Sequence, residues 1–206
     1  MKLCAAIVET RPIPGLTSII KQHMALLPEG TDLFIFCSYK NDYLLSVFNE
    51  ANHILLKDDI FTMEDYNKLL SSPEFWAILT LWDKILIFQH DSMILRKGIE
   101  EFYQWDYIGA SWTWTDKYAG NGGLSLRNPI VMRDICKSFR KPNGLNEDHF
   151  IVDTMYREHI PNLAPIEVAD KFSCEAKFIL GTWGYHGIDS CLSKEQCKQI
   201  REQYNG

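Results

Sequence analysis

The sequence lacks the features that mark proteins that bind nucleic acids or span membranes. It contains no run of more than two consecutive Lys or Arg residues, and its formal net charge is -6. A protein that follows a polyphosphate backbone needs a basic surface, so we expect no nucleic-acid polymer among its partners. No apolar segment is long enough to cross a bilayer, and the apolar stretch over residues 3–8 is too short for a secretory signal. We therefore expect neither a membrane span nor a signal peptide.

The spacing of the cysteines excludes a structural zinc site. Six cysteines are scattered along the chain without a Cys-x-x-Cys pair, and most of them lie in apolar stretches. This pattern predicts reduced, buried thiols and a cytoplasmic protein. The composition is otherwise that of an ordinary globular protein, with 46% hydrophobic and 13% aromatic residues. A chain of 206 residues is long enough to build one substantial core, so one domain over residues 1–206 is expected.

Short apolar runs alternate with helical patterns in the first ninety residues. The apolar runs predict strands over residues 3–8, 33–37, 53–56 and 85–88. Between the first two, apolar residues of 16–27 recur with the period of a helix, and Thr62 with Asp65 has the spacing of a capping box. Strands without polar alternation are covered on both faces, which predicts a mostly parallel central sheet flanked by helices.

The second part of the chain has a more irregular pattern of short strands, Trp-rich and Gly-rich loops, and two helices. Asn146 is predicted to cap one helix, and Ser193 with Gln196 is predicted to open the last one. We expect residues 1–95 to form a nucleotide-binding half and residues 96–206 to form an acceptor-binding half of the same domain.

Polar residues follow the strand predicted over residues 85–88. A buried parallel strand delivers the residues after it, here Gln89, His90 and Asp91, to the carboxyl edge of the sheet, where open α/β folds bind ligands. The carboxylate of Asp91 suits Mg²⁺ or Mn²⁺ bound to phosphates. An Asp that only caps the following turn explains the pattern equally well.

Three glycines surround Asn121 in a second candidate segment. Gly120, Gly122 and Gly123 remove side-chain bulk, so a ligand could approach the backbone closely before the next strand. The segment does not match a P-loop or a dinucleotide fingerprint. A tight hairpin is the alternative explanation.

An acidic pair and a late histidine are further candidates for chemistry. Glu147 and Asp148 fall at a predicted helix N-terminus, whose dipole would keep a carboxylate ionised and able to act as a base. Simple helix capping is the alternative, and only one of the two acids is expected to face a site. His186 lies between glycines and aromatic residues in a segment without periodicity, where it could turn toward a metal ion or phosphate. His23, on the apolar stripe of the first helix, is expected to be structural.

Aromatic residues cluster around residues 105–114. Sugars stack their apolar faces on exposed rings, although most aromatic side chains belong to the core. Because Thr113 and Thr115 are interleaved with Trp112 and Trp114, we expect a half-exposed loop in which one of the two tryptophans contacts an acceptor.

In combination, these segments resemble a group of small glycosyltransferase-like domains of microbes and large DNA viruses. The similarity covers residues 9–186 and consists of seven blocks: YNKLLSSPEFW, IFQHDS, DYIGASW, GNGGLSLR, ED, FSCE and YHG. It implies a GT-A fold, which is a Rossmann-like α/β domain, and a metal motif in which Gln89-His90-Asp91 stands in the place of Asp-x-Asp. A glutamine in the first position lowers the charge of the site.

The same resemblance implies a role for each candidate residue. Mn²⁺ or Mg²⁺ would be bound by Asp91 and His186, and Asp148 or Glu147 would take the proton from the acceptor hydroxyl. For the acceptor, we keep the contact expected above from the aromatic cluster, with Trp112 or Trp114. The implied donor-binding residues are Thr10, Arg11, Lys68, Gln89, Asp91, Ser92, Asn121, Gly122 and Gly123.

The implied activity is transfer of a sugar from a nucleotide-diphosphate donor, with uridine as the expected base, to a hydroxyl of a glycan. Displacement with Asp148 as base is the expected mechanism, and a retaining mechanism assisted by the donor phosphate is the alternative. Two other functions stay open. Gln89 is compatible with a domain that binds a nucleotide or glycan without turnover, and a hydrolase of nucleotide sugars would share the donor site. Loops rich in Trp and Gly favour the transferase, because they provide a place for a second substrate.

Overall fold

A six-stranded sheet lies at the centre of the protein. The computed structural model describes residues 1–56 and 62–204. In these residues the strands, in chain order, are β1 (Leu3–Val8), β2 (Asp32–Cys37), β3 (Asn52–Leu55), β4 (Lys84–Phe88), β5 (Ser92–Ile94), β6 (Tyr107–Gly109), β7 (Leu124–Arg127), β8 (Ser173–Cys174) and β9 (Gly184–His186). The central sheet has the order β3-β2-β1-β4-β7-β6. Its first four strands are parallel, and β7 runs antiparallel to both of its neighbours.

Both faces of the central sheet are covered, as the apolar strands predicted. Along β1, Ala5 and Ile7 belong to a hydrophobic cluster on one face, while Cys4 and Ala6 belong to a second cluster on the other. The same alternation continues in β4, where every residue is buried. Two cores on opposite faces of one sheet explain why the residues of β1 and residues 85–88 of β4 are all apolar.

Helices surround the sheet on both faces. In the described part of the chain they are α1 (Leu16–Leu26), α2 (Tyr43–Val47), α3 (Met63–Leu70), α4 (Pro73–Ile78), α5 (Pro129–Ser138), α6 (Glu147–Arg157), α7 (Ile166–Phe172), α8 (Ile188–Cys191) and α9 (Lys194–Glu202), with 3₁₀ turns at Tyr39–Asn41 and Ile99–Phe102. The capping boxes predicted at Thr62 and at Ser193 are both present.

The N-terminus of α6 differs from the sequence prediction. Asn146 occupies the N-cap position, but its side chain makes no capping hydrogen bond. The N–H of Glu147 instead donates to Oδ1 of Asn67 on α3 at 3.0 Å, and Nδ2 of Asn67 donates to Oδ1 of Asn146 at 3.3 Å. A residue 80 positions away in sequence therefore caps the helix, which attaches the start of α6 to α3.

A small second sheet brings the end of the chain back to β4. Its strand order is β5-β9-β8, and Ser92 of β5 is paired with His186 of β9. Because β5 follows β4 directly, this pairing places His186 beside the residues that leave the central sheet. Strands β6 and β7 complete the central sheet, so the chain forms a single α/β domain. The division into donor and acceptor halves stays a prediction.

Most of the cysteines are buried, as the sequence predicted. Cys191 is exposed, the other five cysteines are buried, and none of the six forms a disulfide within the part of the chain that the structure describes. In residues 1–56 and 62–204, no helix combines the length and the apolar character needed to cross a membrane.

Candidate active site

The carboxyl ends of β1 and β4 meet at one edge of the sheet and open into a small cavity. Its volume is about 90 Å³. This is the edge at which open α/β sheets bind ligands. The lining residues follow the two strands or belong to the segment that begins α3: Val8, Glu9, Thr10, Arg11, Thr62, Met63, Tyr66, Gln89 and His90. We call this the donor cavity, because three of the predicted donor-binding residues, Thr10, Arg11 and Gln89, lie in its wall.

Glu9 fixes two side chains at the mouth of the donor cavity. Nε and Nη2 of Arg11 donate to the Glu9 carboxylate at 2.9 and 2.7 Å, and Nδ1 of His90 lies 3.2 Å from Oε2 of Glu9. Burial would raise the pKa of Glu9, but the hydrogen bonds from Arg11 and His90 outweigh burial and lower this pKa to about 2. Glu9 is therefore ionised at neutral pH. Glu9 was not predicted as a site residue, because its only distinguishing feature in the sequence is its place after a strand.

His186 is surrounded by three polar side chains from distant parts of the chain. Its Nε2 lies 3.0 Å from Oε1 of Gln89 and 3.4 Å from Oδ1 of Asp91. Its Nδ1 lies 3.3 Å from Oε1 of Glu175, which is an ion-pair distance with poor hydrogen-bond alignment. The structure thus brings together Gln89, Asp91 and His186, as the resemblance implied. Glu175 was not among the predicted site residues, although it ends the FSCE block.

The charges around His186 change its protonation. Burial would lower the pKa of the imidazole, but its close contacts with the carboxylates of Asp91 and Glu175 outweigh burial and raise this pKa to about 9. The same contact acts on Asp91: burial would raise the pKa of the Asp91 carboxyl, and hydrogen bonding to His186 lowers it. The imidazole is therefore cationic at neutral pH, and Asp91 is anionic.

Glycines 122 and 123 allow the two sides of the site to approach each other. A Cβ on Gly123 would lie 2.2 to 2.3 Å from three ring atoms of His186. A Cβ on Gly122 would lie 2.7 Å from Oε1 of Glu147 and 3.0 Å from Cβ of Asp148. The Gly-rich segment predicted from the sequence thus packs between the His186 cluster and the acidic pair. Asn121 accepts the N–H of Gly123 through Oδ1 at 3.0 Å, which holds the turn.

Asp148 faces a second cleft and has an unusual proton affinity. Its Oδ2 accepts the N–H of Gly122 at 2.9 Å, and its Oδ1 accepts the N–H of His149 at 2.7 Å. Burial, followed by the negative charge of Glu147, raises the pKa of Asp148 to about 6. The sequence had suggested that the helix dipole would keep this group ionised, but burial and a like charge shift its pKa upward. Asp148 is still mostly ionised at pH 7, and it binds a proton more tightly than an ordinary Asp.

Glu147 is engaged in a buried ion pair. Nη1 and Nη2 of Arg127 donate to the two carboxylate oxygens of Glu147 at 2.7 and 2.9 Å, and neither side chain is more than 3% exposed. The guanidinium also packs against the ring of Tyr107, with its Cζ 4.7 Å from the centroid. Of the two acids predicted as bases, Asp148 faces the cleft while Glu147 is held by Arg127. Arg127 was not predicted, because a single arginine in a strand has no distinguishing pattern.

Two stacked tryptophans line the cleft that Asp148 faces. The ring centroids of Trp112 and Trp114 are 5.0 Å apart, and Trp114 is 57% exposed. The predicted half-exposed loop thus applies to Trp114, whereas Trp112 is 7% exposed. His149, to which the sequence assigned no role, packs against Trp114 at 4.8 Å. The cleft, which we call the acceptor cleft, has a volume of about 350 Å³ and is lined by Trp112, Trp114, Asn121, Asn146, Asp148, His149 and Glu175.

Of the predicted donor-binding residues, five line neither cavity: Lys68, Asp91, Ser92, Gly122 and Gly123. Asp91 and the two glycines contact His186 or the acidic pair, whereas Ser92 and Lys68 have other surroundings. Ser92 is 2% exposed, and its Oγ donates to the carbonyl of Gln89 at 2.7 Å and lies 3.2 Å from Nε2 of His23. His23 is itself buried and stacked on Phe88, which agrees with a structural role. Lys68 is exposed and lines a separate cleft on another face of α3. The structure does not bring these two predicted residues to the donor cavity.

The comparison with protein families assigns most of the chain to one family. Residues 50–186 match the family described as "Protein of unknown function (DUF5672)". The chain belongs to the DUF5672 family. The matched range ends at His186 and contains every predicted site residue except Thr10 and Arg11. None of the curated proteins matches the chain.

The fold of this DUF5672 chain is similar to that of a solved glycosyltransferase. The apo-form glycosyltransferase GlyE of Streptococcus pneumoniae TIGR4 matches with a TM-score of 0.55 and 10% sequence identity. The match covers 97% of this chain and 51% of the GlyE chain, so this chain spans about half the length of that structure. At this identity the likeness concerns the fold alone. It confirms the predicted glycosyltransferase-like α/β fold.

The described residues of this DUF5672 protein supply too few ligands to hold a metal ion by themselves. In the described residues, no group of three or more His, Cys, Asp or Glu side chains is arranged to hold a metal ion. Mg²⁺ in nucleotide sites takes one or two carboxylates and completes its shell with phosphates and water. Ligands about 2.1 Å from such an ion and adjacent in its shell lie about 3 Å apart. Asp91 and Gln89 lie 3.4 and 3.0 Å from Nε2 of His186, so the three groups could be adjacent ligands of such an ion only after the imidazole loses its proton.

The contact between Gly123 and His186 yields a prediction about stability. We expect Gly123→Ala to displace the imidazole, because a methyl group cannot occupy the ring's position, and to lower the free energy of unfolding by about 1–3 kcal/mol or more. Chemical denaturation measures the loss, and the NMR shifts of the His186 imidazole report its displacement. In Gly144→Ala the added methyl group meets open space at a φ of +76°, so only backbone strain is expected and His186 should not move. Unchanged His186 shifts in Gly123→Ala would contradict the packing described.

Proposed function

We propose that the chain is a glycosyltransferase that moves a sugar from a nucleotide-diphosphate donor, with a UDP-sugar as the expected class, to a hydroxyl of a glycan. This proposal rests on the environment of Asp148. This carboxyl group has the raised proton affinity of a general base, and it faces a cleft beside an exposed tryptophan. The donor cavity lies at the adjoining sheet edge, with Gly122 and Gly123 between the two.

The two cavities supply separate places for two substrates. In the donor cavity, Thr10 and Arg11 would contact the base and ribose, with the Arg11 guanidinium held in place by Glu9. In the acceptor cleft, a sugar ring would stack on Trp114, as sugars do on exposed aromatic side chains. A hydrolase needs only the first of these cavities, so the acceptor cleft favours transfer over hydrolysis.

The reaction we propose is displacement at the anomeric carbon of the donor. Asp148 takes the proton of the acceptor hydroxyl, the acceptor oxygen forms a bond to the anomeric carbon, and the bond from that carbon to the diphosphate oxygen breaks. Asp91 and Gln89, together with His186 once its imidazole has lost a proton, would hold Mn²⁺ or Mg²⁺, which would offset the charge on the departing diphosphate. Glu175, near the opposite nitrogen of His186, would orient the imidazole.

Binding of UDP tests the placement of the donor and the cation. We expect Mn²⁺ and UDP together to raise the melting temperature of the wild-type protein more than either alone, because a ligand that binds the folded state stabilises it. Asp91→Ala should abolish the Mn²⁺-dependent part of this shift. Asp116→Ala, which removes an exposed carboxylate after Trp114, is the matched control and should retain it. An undiminished shift in Asp91→Ala would show that the cation binds elsewhere.

Product analysis tests transfer against its two alternatives. The protein is incubated with a panel of nucleotide sugars and Mn²⁺, with and without a panel of glycans, and the sugar products are separated. A transferase gives an elongated glycan. Free sugar released at the same rate with and without glycans would instead identify a hydrolase, and a bound nucleotide sugar that is never consumed would identify a binding domain.

A further inference from the structure

A third depression of the surface lies on another face of α3. It shares no residue with the donor cavity or the acceptor cleft. Its volume is about 530 Å³. Helix α3 contributes to both sides: Met63 and Tyr66 line the donor cavity, while Glu64 and Lys68 line this cleft. The rest of the lining comes from the start of α4, the end of α5 and the loop after it: Ser71, Ser72, Pro73, Cys136, Lys137, Ser138, Phe139, Arg140, Lys141 and Asn143. We call this the basic cleft.

The basic cleft concentrates positive charge in a protein whose formal net charge is -6. Four cationic side chains line it, against one carboxylate, that of Glu64. Only Lys141 approaches that carboxylate, at 3.9 Å. Within residues 1–56 and 62–204, Lys68, Lys137 and Arg140 form no ion pair. In the described part of the chain, three cations without a carboxylate within 4 Å therefore share one concave surface. Hydrogen bonds from Thr62 lower the pKa of Asp65, three residues before Lys68, and the lysine is close enough to lower this pKa further.

Arg140 is an exception among the arginines of this chain. Six arginines lie within 4 Å of a carboxylate in the part of the chain that the structure describes: Arg11, Arg96, Arg127, Arg133, Arg157 and Arg201. Arg140 has no such partner there, and it is exposed at the cleft. A guanidinium presents a planar fork of donors that matches phosphate and carboxylate oxygens, so this unpaired fork is suited to an anion from outside the chain.

The remaining lining restricts which groups can contact the anion. The hydroxyls of Ser71 and Ser72 already donate to backbone carbonyls, at 2.6 and 2.9 Å. Pro73 and Phe139 form an apolar part of the wall, and Phe139 is 38% exposed. The ammonium of Lys141 donates to the carbonyls of Pro142 and Leu145 at 3.3 and 2.8 Å, so the charged contacts come from Lys68, Lys137 and Arg140. The apolar wall leaves room for the organic part of a ligand.

We propose that the basic cleft binds a phosphate group, carried either by a soluble metabolite or by a lipid headgroup. A phosphate dianion can bind one arginine guanidinium and two or more ammonium groups at the same time. A carboxylate carries a single negative charge and two oxygens, so it would leave some of these cations without a partner. The site is distinct from the donor cavity, and it does not depend on whether the chain transfers sugars. It also accounts for Lys68, which the resemblance assigned to the donor but which the structure places here.

Titration with inorganic pyrophosphate tests this site. Isothermal calorimetry on the whole chain, without added divalent metal, is expected to give saturable binding that weakens as salt is added. The double variant Lys137→Gln/Arg140→Gln is expected to bind pyrophosphate at least about tenfold more weakly, since hydrogen bonds to charged groups are lost. Arg133→Gln, on the same helix but outside the cleft, is the matched control and should bind as the wild type does.

Vesicles distinguish the two sources of phosphate. Co-sedimentation with phosphatidylcholine vesicles, with and without phosphatidic acid, is measured for the same three proteins. Pyrophosphate binding that is sensitive to the double variant supports the site. Accompanying variant-sensitive binding to phosphatidic acid identifies a lipid ligand, and its absence identifies a soluble one.

Three results would overturn the proposal. These are the absence of saturable pyrophosphate binding, pyrophosphate binding that is unchanged in Lys137→Gln/Arg140→Gln, and an equal loss in Arg133→Gln. If the double variant does not fold, as judged by circular dichroism and thermal melting, Lys68→Gln on α3 replaces it with the same expected loss. The UDP and Mn²⁺ melting shift of the double variant, expected to be unchanged, separates failure of this site from failure of the donor cavity.

Discussion

We expect Asp148→Asn to slow sugar transfer by about a thousandfold, since a positioned general base contributes roughly 10²–10⁴ to a rate. Asparagine keeps an oxygen that can accept the N–H of Gly122, so the loop should stay in place, but it cannot take a proton. Initial rates at saturating donor measure the effect. Asp153→Asn, on the same helix and ion-paired with Arg157, is the matched control and should transfer at the wild-type rate.

The pH dependence of the wild-type rate provides a second measurement of the same group. Because burial and the charge of Glu147 raise the pKa of Asp148 to about 6, the rate should fall about tenfold per pH unit below that value. A transfer rate in Asp148→Asn within about tenfold of the wild type would contradict the base assignment. It would favour the retaining mechanism, in which the donor phosphate assists.

Asp148→Asn should also stabilise the fold at neutral pH. The pKa of this carboxyl rises from 3.8 to about 6 on folding, so its ionisation opposes folding once the pH exceeds about 4. This cost grows until about pH 6 and is constant above it. Removing the charge is therefore expected to add up to about 3 kcal/mol to the free energy of unfolding near pH 7, and almost nothing near pH 3. Denaturant titrations of both proteins at the two pH values test this sign.

The second large effect is expected from the buried pair of Arg127 and Glu147. Arg127→Met leaves the Glu147 carboxylate buried without a partner, and Glu147→Gln leaves the guanidinium in the same position. Each change should lower the free energy of unfolding by about 3–5 kcal/mol, because an unpaired buried charge is costly. Arg127→Met/Glu147→Leu removes both charges and should be closer to wild type in stability than either single variant.

A surface pair provides the control for this prediction. Arg96 and Glu101 form an ion pair at 2.8 Å, but both side chains are partly exposed. Arg96→Met should therefore lower the free energy of unfolding by less than about 1 kcal/mol. Urea denaturation of all four variants gives the comparison. If Arg127→Met lowered the free energy of unfolding by no more than Arg96→Met does, burial of the Arg127–Glu147 pair would not make it more important for stability than a surface pair.

The sequence predicted the central sheet well because its signals are local. Strands β1 and β4 are continuous apolar runs, and such runs are buried on both faces whatever else the chain does. The capping boxes at Thr62 and Ser193 depend on residues three positions apart, so they too could be predicted from the sequence. Asn146 failed as a capping side chain because the competing acceptor, Asn67, comes from another helix.

The site was predictable only in part because its contacts join distant residues. Asp91 could be placed at the sheet edge from β4 alone, but its contact with His186 came only from the resemblance. Glu175 was missed because its role depends on the pairing of β8 with β9, two strands of two and three residues that have no periodic signal. Lys68 was misplaced because a helical pattern predicts which residues share a face, and does not predict what that face contacts.

The hydrogen bond between Asn67 of α3 and the N–H of Glu147 connects the wall of the donor cavity to the helix that carries Asp148. Tyr66 borders the donor cavity, and its neighbour Asn67 caps α6 next to Asp148. Because Tyr66 and Asn67 are consecutive residues of one helix, a ligand in the donor cavity that displaced Tyr66 would also displace Asn67. Through its hydrogen bond to the N–H of Glu147, Asn67 would then transmit part of that displacement to the first turn of α6, which carries Asp148.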